Sequence, residues 1–382
     1  MYNGLDYVAY ISYVNYDTLK TNNKKQHTKG ALKMGKIKNI NSIPTWESRA
    51  FGVEIEFVYK PQSGHSAMRP ALARNIQSYA NLHIQGYNVE NNNSISQVEI
   101  RGEHYNHNTQ TYWKLVTDST ANPTTRQSRE GYIGNYELVS PILKGINAKI
   151  QLKYILQAMQ ELGCDVSRHC GLHVHHDVRE WKRDLQSNNG TRNDNAINRI
   201  VNVVTLFTKF EDIIFGMLPN SRKPGGSNYR WCRSINAYMN NVFSHVNGKN
   251  QSKRSDKKKV VKDANRNNHF NYNFQSDRFC GLNFGSFYKY GSIEVRYGAP
   301  TLNFEKMFNW IIFTQRFVIA AELFKTVNSG SEMKLETEHD KYITFIKVRD
   351  SLCLTRRMCK TEEELNASLW IRKRFNENYA TA

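Results

Sequence analysis

The chain has 382 residues, of which 39% are hydrophobic and 12% aromatic, so its composition excludes an intrinsically disordered protein. Its 53 lysines and arginines outnumber its 34 acidic residues by 19, and this surplus favours polyanionic partners such as nucleic acids or nucleotides. No apolar stretch is long and uncharged enough to span a bilayer, and the six cysteines lack CxxC spacing. We therefore expect no membrane partner and reduced thiols in a cytoplasm. Abundant Asn and only 8 Pro hint at a phage source, and the compartment would then be the host cytoplasm.

Hydrophobic periodicity predicts both strands and helices. From Phe51 to Phe57 apolar residues alternate with others, a period of two that is typical of a strand. Apolar residues from Ile146 to Leu162 instead recur with helical spacing, and Gly163 follows where a helix ends. In chain order we predict strands within residues 46–59, 98–101, 111–116, 134–143, 173–175 and 279–300, and helices within residues 146–162, 194–218, 303–325 and 361–379. The rest of residues 60–135 is expected to form Asn-rich loops, and the irregular alternation of helices and strands indicates an α+β fold.

Composition divides the chain into three predicted parts. Residues 1–45 form an N-terminal extension that is partly basic and flexible, residues 46–330 the domain with the candidate site, and residues 331–382 a C-terminal helical segment. The middle part contains a basic insert at about residues 248–268. Within it, residues 249–262, bounded by Lys249 and Lys262, hold seven basic residues against one Asp. We predict a mobile loop there that could contact an acidic partner, or a nucleic acid without sequence specificity.

Three of the predicted strands carry ionisable residues two positions apart, and a fourth carries a single acid. Because residues i and i+2 of a strand project from the same face, each pair shares a face. Carboxylates gathered in this way repel one another unless cations neutralise them, and oxygen-rich sites with imidazoles suit Mg²⁺ or Mn²⁺ better than Zn²⁺. A nearby arginine would stabilise charge on a transferring phosphoryl group. The residues are Glu54 and Glu56, His173 and His175, Glu294 and Arg296, and the single Glu137.

Other interpretations of the same residues remain open at this point. Glu54 and Glu56 by themselves also fit a solvated strand face, and Glu294 with Arg296 also fits a cross-strand salt bridge. The histidine-rich stretch is compatible with a zinc hydrolase that uses His173, His175 and Asp177, since Cys170 and His169 lie close in sequence. The positive charge is also compatible with a catalytically degenerate protein that binds nucleic acid.

The order of the motifs resembles the amidoligase family, within the glutamine-synthetase-like carboxylate–amine ligases that include γ-glutamylcysteine synthetase. The similar segments read FGVEIEF, WKLVTD, YELVSPIL, CGLHVH, and RFCGLN leading into SIEVR, at residues 51–57, 113–118, 136–143, 170–175, 278–283 and 292–296. They are spread over about residues 46–325. The resemblance makes residues 46–330 an amidoligase catalytic domain.

The resemblance implies a glutamine-synthetase-like fold, with a curved antiparallel sheet that forms a partial barrel and is backed by helices. ATP would enter one end and the carboxylate substrate the other. The implied activity is an ATP- and Mg²⁺- or Mn²⁺-dependent ligase that forms an amide or peptide-like bond through an acyl phosphate. Its substrates would be small-molecule or peptide carboxylates and amines, and the oligomeric state cannot be deduced.

The resemblance also implies a role for each matching residue. The metal ligands would be Glu54, Glu56, Glu137, His173 and Glu294. ATP would be bound by His175, Arg278 and Arg296. Arg296 and Glu137 would act in catalysis. Contacts to substrate are expected from Asn283, Arg222 and Arg233.

The chain departs from the family pattern in two places. Residues 140–146 offer no acid after the strand of Glu137, so one ligand must come from elsewhere, such as Asp118 or Glu99, or one metal is missing. The arginines between residues 222 and 233 do not match the family spacing. They surround a turn at residues 224–227 that we expect to act as a flap on the substrate side.

Overall fold

The described part of the chain is organised around one β-sheet. The computed structural model describes residues 40–106, 108–239, 242–243, 253–266, 274–275, 277–327 and 338–379. Most of the predicted N-terminal extension lies outside these residues, as does part of the basic insert. Within the described residues the strands are β1 (Phe51–Tyr59), β2 (Ile100–Gly102), β3 (Trp113–Val116), β4 (Ile133–Val139), β5 (Cys164–Asp165), β6 (Leu172–Asp177), β7 (Leu282–Asn283) and β8 (Ser292–Gly298).

These strands form an open, mostly antiparallel sheet. The order is β2-β3-β4-β1-β6-β8-β7, and β5 pairs with the end of β1. Only the described pair β2–β3 is parallel. The prediction of an antiparallel sheet in a mixed fold is therefore confirmed. β1 lies between β4 and β6, so the strands of the predicted site are direct neighbours.

Helices cover the sheet. They are α1 (Arg69–Asn91), α2 (Thr125–Arg129), α3 (Gly145–Glu161), α4 (Arg179–Leu185), α5 (Gly190–Gly216), α6 (Ile235–Tyr238), α7 (Arg254–Arg266), α8 (Gly285–Tyr290), α9 (Phe304–Leu323), α10 (Glu338–Ser351) and α11 (Glu362–Tyr379). Short 3₁₀ turns occur at Ile40–Ser42, Trp46–Ser48, Asn220–Arg222 and Tyr229–Trp231. No described helix is both long and apolar enough to cross a membrane.

The period-two pattern of β1 determines which face enters the core. Val53, Ile55 and Phe57 are at most 1% exposed and pack in the same apolar cluster as α1, α3, α5 and α9. The helix predicted from residue 303 is confirmed as α9, and the side chain of Asn303 accepts a hydrogen bond from Lys306 N at its start. The opposite face of β1 carries Glu54 and Glu56.

The helix α1 contradicts the loop prediction for residues 60–135. It has 23 residues, and its buried side chains form a narrow stripe of Leu72, Ala73, Ile76, Ala80 and Ile84. Many Asn residues and a central Gly dilute this stripe, which is why the pattern suggested loops. The partner that selects the helix is α3, against which α1 packs.

Two smaller predictions also need correction. Residues 254–266 of the basic segment form the helix α7 rather than a mobile loop, and Val261 and Ala264 are buried where α7 packs against α5. Residues three or four positions apart lie on the same face of a helix, so α7 buries this pair together with Lys257, while Lys259 and Lys262 are exposed. Ile146, which we assigned to the apolar stripe of α3, is 47% exposed because it lies in the first turn.

The C-terminal helix α11 joins the same core as the sheet domain. Ala367, Ile371 and Phe375 belong to the main apolar cluster, and α11 packs against α9. A buried ion pair joins Arg316 of α9 to Glu364 of α11, with both side chains 0% exposed. The helical prediction for residues 361–379 is confirmed.

Candidate functional site

Strand register brings the predicted pairs side by side. Glu54 of β1 is opposite His173 of β6, and Glu56 is opposite Glu137 of β4. His175 is in turn opposite Glu294 of β8. Since cross-strand neighbours on one face have Cβ atoms about 5 Å apart, four strands contribute to one polar surface.

Glu54 is at the centre of this surface. Its Oε2 lies 3.0 Å from His173 Nδ1, and its Oε1 lies 3.1 Å from His175 Nε2. The other nitrogen of His173 is 3.7 Å from Glu56 Oε1. Both imidazoles therefore lie among carboxylates, which is the surrounding expected of metal or phosphate ligands rather than of packing residues.

Glu294 extends the surface towards the edge of the sheet. It accepts hydrogen bonds from Arg296 Nη1 and, at 2.6 Å, from Asn283 Nδ2. His173 Nδ1 lies 3.7 Å from the same carboxylate. His175 Nδ1 is 3.2 Å from Ser292 Oγ, so both ring nitrogens of His175 have polar neighbours.

Three groups of side chains in the described part of the chain have the spacing of metal ligands. In each group the ligand atoms lie within 4.8 Å of one another. Carboxylate oxygens dominate all three, with one imidazole in two of them, and this donor chemistry fits Mg²⁺ or Mn²⁺. The groups are Glu54, Glu137 and His173; Glu54, His175 and Glu294; and Glu56, Asp118 and Glu137.

The electrostatics of the surface also fit a divalent cation. Burial and the negative charges of Glu54, Glu56 and Asp118 raise the pKa of Glu137 well above its usual value. Burial likewise raises the pKa of Glu56, although His173 opposes the shift. These two carboxylates need a neighbouring cation to ionise fully.

At Glu54 and Glu294 the neighbouring basic groups outweigh the effect of burial on the pKa. Burial opposes ionisation of Glu54, but the charge of His175 and the hydrogen bonds of His173 and His175 hold its pKa well below its usual value. Burial also opposes ionisation of Glu294, and the Arg296 guanidinium outweighs it and lowers the pKa of that carboxyl. The pKa of His175 is raised by Glu54 against the effect of burial.

Close approach at Gly171 lets a buried arginine reach the same surface. A Cβ atom at Gly171 would lie 2.9 Å from Glu56 Oε1, 3.0 Å from His173 Nε2 and 3.1 Å from Arg222 Nη2. Arg222 is 2% exposed and donates to the backbone oxygens of Cys170 and Arg296. Its Nε is buried without a hydrogen-bond partner, so one donor of this guanidinium is not satisfied by the protein.

These side chains line a cavity of about 820 Å³. At the Gly52 end of β1 the lining includes Arg179, Lys289 and Ser292. Further along β1, towards Glu56, the lining includes Asp118, His169, Arg222 and Trp231. The cavity thus runs along the strands, with both glutamates of β1 between its ends.

Most of the residues predicted for the site lie in this cavity. Besides the carboxylates and histidines, Arg278, Asn283, Arg296 and Arg222 line it. Arg233 is not among the lining residues: its Nη1 is 2.8 Å from Asp277 Oδ2 and 3.0 Å from Tyr238 Oη. The turn at residues 224–227 does not line the cavity either.

The trio expected of a zinc hydrolase is not assembled. Asp177 accepts two hydrogen bonds from the Arg179 guanidinium, at 2.9 Å and 2.7 Å, and a third from Arg179 N at 3.0 Å. It belongs to none of the described metal groups. His176 projects to the other side of β6, where its Nε2 lies 2.9 Å from Thr314 Oγ1. Cys170 is buried, and burial raises the pKa of its thiol to about 11.

The sequence did not assign a role to every residue that lines the cavity. Asp118, weighed against Glu99 as a replacement ligand, lies with Glu56 and Glu137, whereas Glu99 pairs with Arg101. Lys114 was not predicted as a site residue. It lies two positions before Val116 on β3, and Val116 is opposite Glu137, so Lys114 is on the same face of the sheet as Glu137. The period of two in β3 could have identified it. Its Nζ donates to the backbone oxygens of residues 106 and 108.

The chain is similar to a known protein family over most of its length. A family model described as "Putative amidoligase enzyme" matches residues 47–318. No curated protein matches the chain.

Solved structures include a distant neighbour. A bifunctional glutathione synthetase from Pasteurella multocida is 13% identical to the chain, with a TM-score of 0.39. The match covers 87% of this chain and 48% of that one, so this chain spans about half the length of that protein. A similarity at this level carries no argument about function.

Proposed function

This chain belongs to the amidoligase family, and from that membership we propose that it is an ATP- and Mg²⁺-dependent carboxylate–amine ligase. It would convert a substrate carboxylate to an acyl phosphate and then to an amide or peptide-like bond. The same proposal includes the finer fold, a glutamine-synthetase-like sheet curved into a partial barrel. The predicted acidic or nucleic-acid partner of the basic segment remains a prediction.

One observation carries the proposal: Glu54 and Glu56, on one face of β1, take part in separate groups of metal ligands. Glu54 is grouped with His175 and Glu294, and Glu56 with Asp118 and Glu137. Two such groups along one strand suit a reaction that has to bind a triphosphate and a carboxylate side by side. Asp118 would supply the ligand that residues 140–146 lack.

Mg²⁺ bound by these carboxylates would screen the negative charge of the ATP phosphates and so allow an anionic carboxylate to approach. Arg296 is positioned to act on the same charge, because its guanidinium is held by Glu294 within the cavity. Its pKa is raised by Glu294 and Glu54 against the effect of burial, so it stays a cation throughout the reaction. Such a fixed cation stabilises charge on a phosphoryl group in transfer.

The binding of each substrate follows from the charges at the two ends of the cavity. Arg179, Arg278 and Lys289 line the cavity and would provide cations for the ATP phosphates. Arg222, which lines the cavity and acts electrostatically on Glu56, would provide a cation for the substrate carboxylate. The carboxylate oxygen would attack the γ-phosphorus of ATP with ADP as leaving group, and the amine would then displace phosphate from the acyl carbon.

The test is carboxylate-dependent release of ADP. The purified chain is incubated with ATP, Mg²⁺ and hydroxylamine against a panel of L-glutamate, L-aspartate, acidic dipeptides and other amino acids. We expect at least one acid to raise ADP release and to give a hydroxamate in equal amount, because hydroxylamine intercepts acyl phosphates. The Glu54→Gln variant is the control for a contaminating ATPase.

Two results would contradict the proposal. ADP release that no carboxylate stimulates, with no hydroxamate, would leave the ligase without its first step. Hydrolytic activity that needs no ATP and is lost on adding a zinc chelator would favour the zinc hydrolase instead.

A further inference from the structure

The amine substrate of a ligase has to lose a proton before it can attack an acyl carbon, because an ammonium group has no free electron pair. We propose that His169 is the general base that accepts this proton. The inference rests on the proposed ligase function and adds a catalytic residue to it.

His169 lies at the end of the cavity that the carboxylate and amine would use. It lines the cavity together with Asp118 and Trp231. It also precedes Gly171 by two residues, and Gly171 is next to Glu56 Oε1 and Arg222 Nη2. The backbone oxygen of Cys170, the residue after His169, accepts from Arg222 Nη2, which belongs to the group that would bind the substrate carboxylate.

The backbone fixes the turn that presents His169. His169 N donates to Ser167 Oγ at 2.9 Å, and the same hydroxyl donates to Asn122 O. Asn122 belongs to the loop that begins at Asp118, and Ala121 N in that loop donates to Asp118 O. His169 and the proposed metal ligand Asp118 therefore lie on two loops that are joined by a hydrogen bond.

The other two histidines that line the cavity, and Asp177, are engaged elsewhere in the part of the chain that the structure describes. His173 and His175 both contact Glu54 and belong to the metal groups. Asp177 is held by Arg179. Among the described residues, His169 belongs to no group with metal-ligand spacing.

One contact of the His169 ring identifies the nitrogen that would accept the proton. Arg168 Nε lies 3.4 Å from His169 Nε2. A guanidinium can only donate, so Nε2 accepts in this contact and carries the lone pair of the ring. Arg168 is exposed, so its side chain can turn towards solvent, and Nε2 then accepts the proton of the substrate.

The proposed step is balanced with the groups already named. His169 takes one proton from the ammonium substrate, and the amine nitrogen then forms a bond to the acyl carbon. The bond between that carbon and the phosphate oxygen breaks, and phosphate leaves with the second nitrogen proton. The third proton remains on the amide, and His169 returns its proton to water.

Two amine nucleophiles distinguish a general base from a residue that only binds the substrate. Methylamine is almost entirely protonated at neutral pH and needs a base, whereas hydroxylamine is a weaker base and reacts as the neutral molecule. In His169→Gln and His169→Ala, we expect amide formation from methylamine to fall about 100-fold, a typical contribution of general base catalysis. Hydroxamate formation from the same acid should stay within about twofold of the wild type. The acid is the one that gives most hydroxamate in the panel above.

The matched control is His83→Ala, because His83 is paired with Glu161 away from the cavity. It should leave both reactions unchanged, and Mn²⁺ titration should give equal metal affinity in all variants. Equal losses with methylamine and hydroxylamine would overturn the assignment, as would full activity with methylamine. A wild-type protein that forms no hydroxamate would instead contradict the ligase function itself.

Discussion

Glu54 illustrates how one residue can connect the whole site. It contacts His173 and His175 and takes part in two of the described metal groups. Its position on β1 places it between β4 and β6, so it has neighbours on both sides. Replacing it should therefore affect metal binding and phosphate chemistry together.

We predict that Glu54→Gln lowers ADP formation at least about 100-fold and weakens Mn²⁺ binding, because the amide oxygen lacks the negative charge of the carboxylate and is a weaker ligand. The melting temperature should fall little, since the side chain stays polar and partly exposed. Glu99→Gln is the control, because its carboxylate pairs with Arg101. A Glu54→Gln variant with full turnover would show that the metal groups are assigned to the wrong residues.

The tight packing of Gly171 against the site can be tested by adding one methyl group. We predict that Gly171→Ala lowers kcat about tenfold or more, because its Cβ would lie 2.9 Å from Glu56 Oε1 and would displace it. Steady-state ADP release measures the effect, and circular dichroism checks the fold. At Gly190 a Cβ has no neighbour within 4 Å, so Gly190→Ala should keep its activity. Equal activity of the two variants would argue against the tight packing at Gly171.

At the scale of elements, α1 shows how packing can override a weak helical pattern. The helix contains Gly86 near its middle, and a Cβ there would have no neighbour within 4 Å. We predict that Gly86→Ala raises the free energy of unfolding by up to about 1 kcal/mol, because Ala loses less backbone entropy in a helix. Urea denaturation measures the change. A loss of stability would mean that residues 69–91 are not helical through Gly86.

The junction of α9 and α11 depends on a buried ion pair. Glu364 accepts from Trp46 N at 2.9 Å and Lys360 N at 2.7 Å, besides its contact with Arg316. We predict that Glu364→Gln lowers the free energy of unfolding by about 3 kcal/mol, because it leaves the Arg316 charge buried and unpaired. The neighbouring Glu363 pairs with Lys149 nearer the surface, so Glu363→Gln should cost less than about 1 kcal/mol. Equal effects of the two substitutions in urea denaturation would contradict this account.

At the scale of the whole molecule, the positive surplus extends into the interior. Lys209 of α5 is 9% exposed, and burial, with a smaller effect of Lys347, lowers its pKa from 10.5 to about 8. Below pH 8 the folded protein therefore carries a buried charge that the unfolded chain holds in water. Between pH 8 and 10.5 the folded state loses this proton more readily than the unfolded state, so its relative stability rises with pH.

We predict that Lys209→Met raises the free energy of unfolding on the order of 2 kcal/mol at pH 7, because it removes the buried charge. This advantage should shrink as the pH rises from 8 towards 10.5, since the lysine of the wild type becomes neutral. Urea denaturation across this range measures it. The exposed Lys306→Met variant should differ from the wild type equally at every pH, and the same behaviour for Lys209→Met would refute the pKa shift.

The sequence alone was sufficient for the features that depend on neighbours along the chain. The alternation in β1 puts Glu54 and Glu56 on one face, and the same rule places His173 with His175, because strand geometry repeats every two residues. Helical spacing was likewise sufficient for α3, α9 and α11. The order of the motifs along the chain was enough to identify the family, which the family match confirms.

Only the tertiary structure decided which of these faces meet. Glu54 and His173 are separated by 119 residues, and nothing local sets the register that joins them. Tertiary contacts also place Asp118 beside Glu137 and direct the side chain of Arg233 to Asp277 instead of the cavity. Long-range pairing selected the helix α1 from a stretch whose local pattern suggested loops. Local geometry limits each segment to a few conformations, whereas burial against a partner selects among them, and that partner is not encoded within the segment.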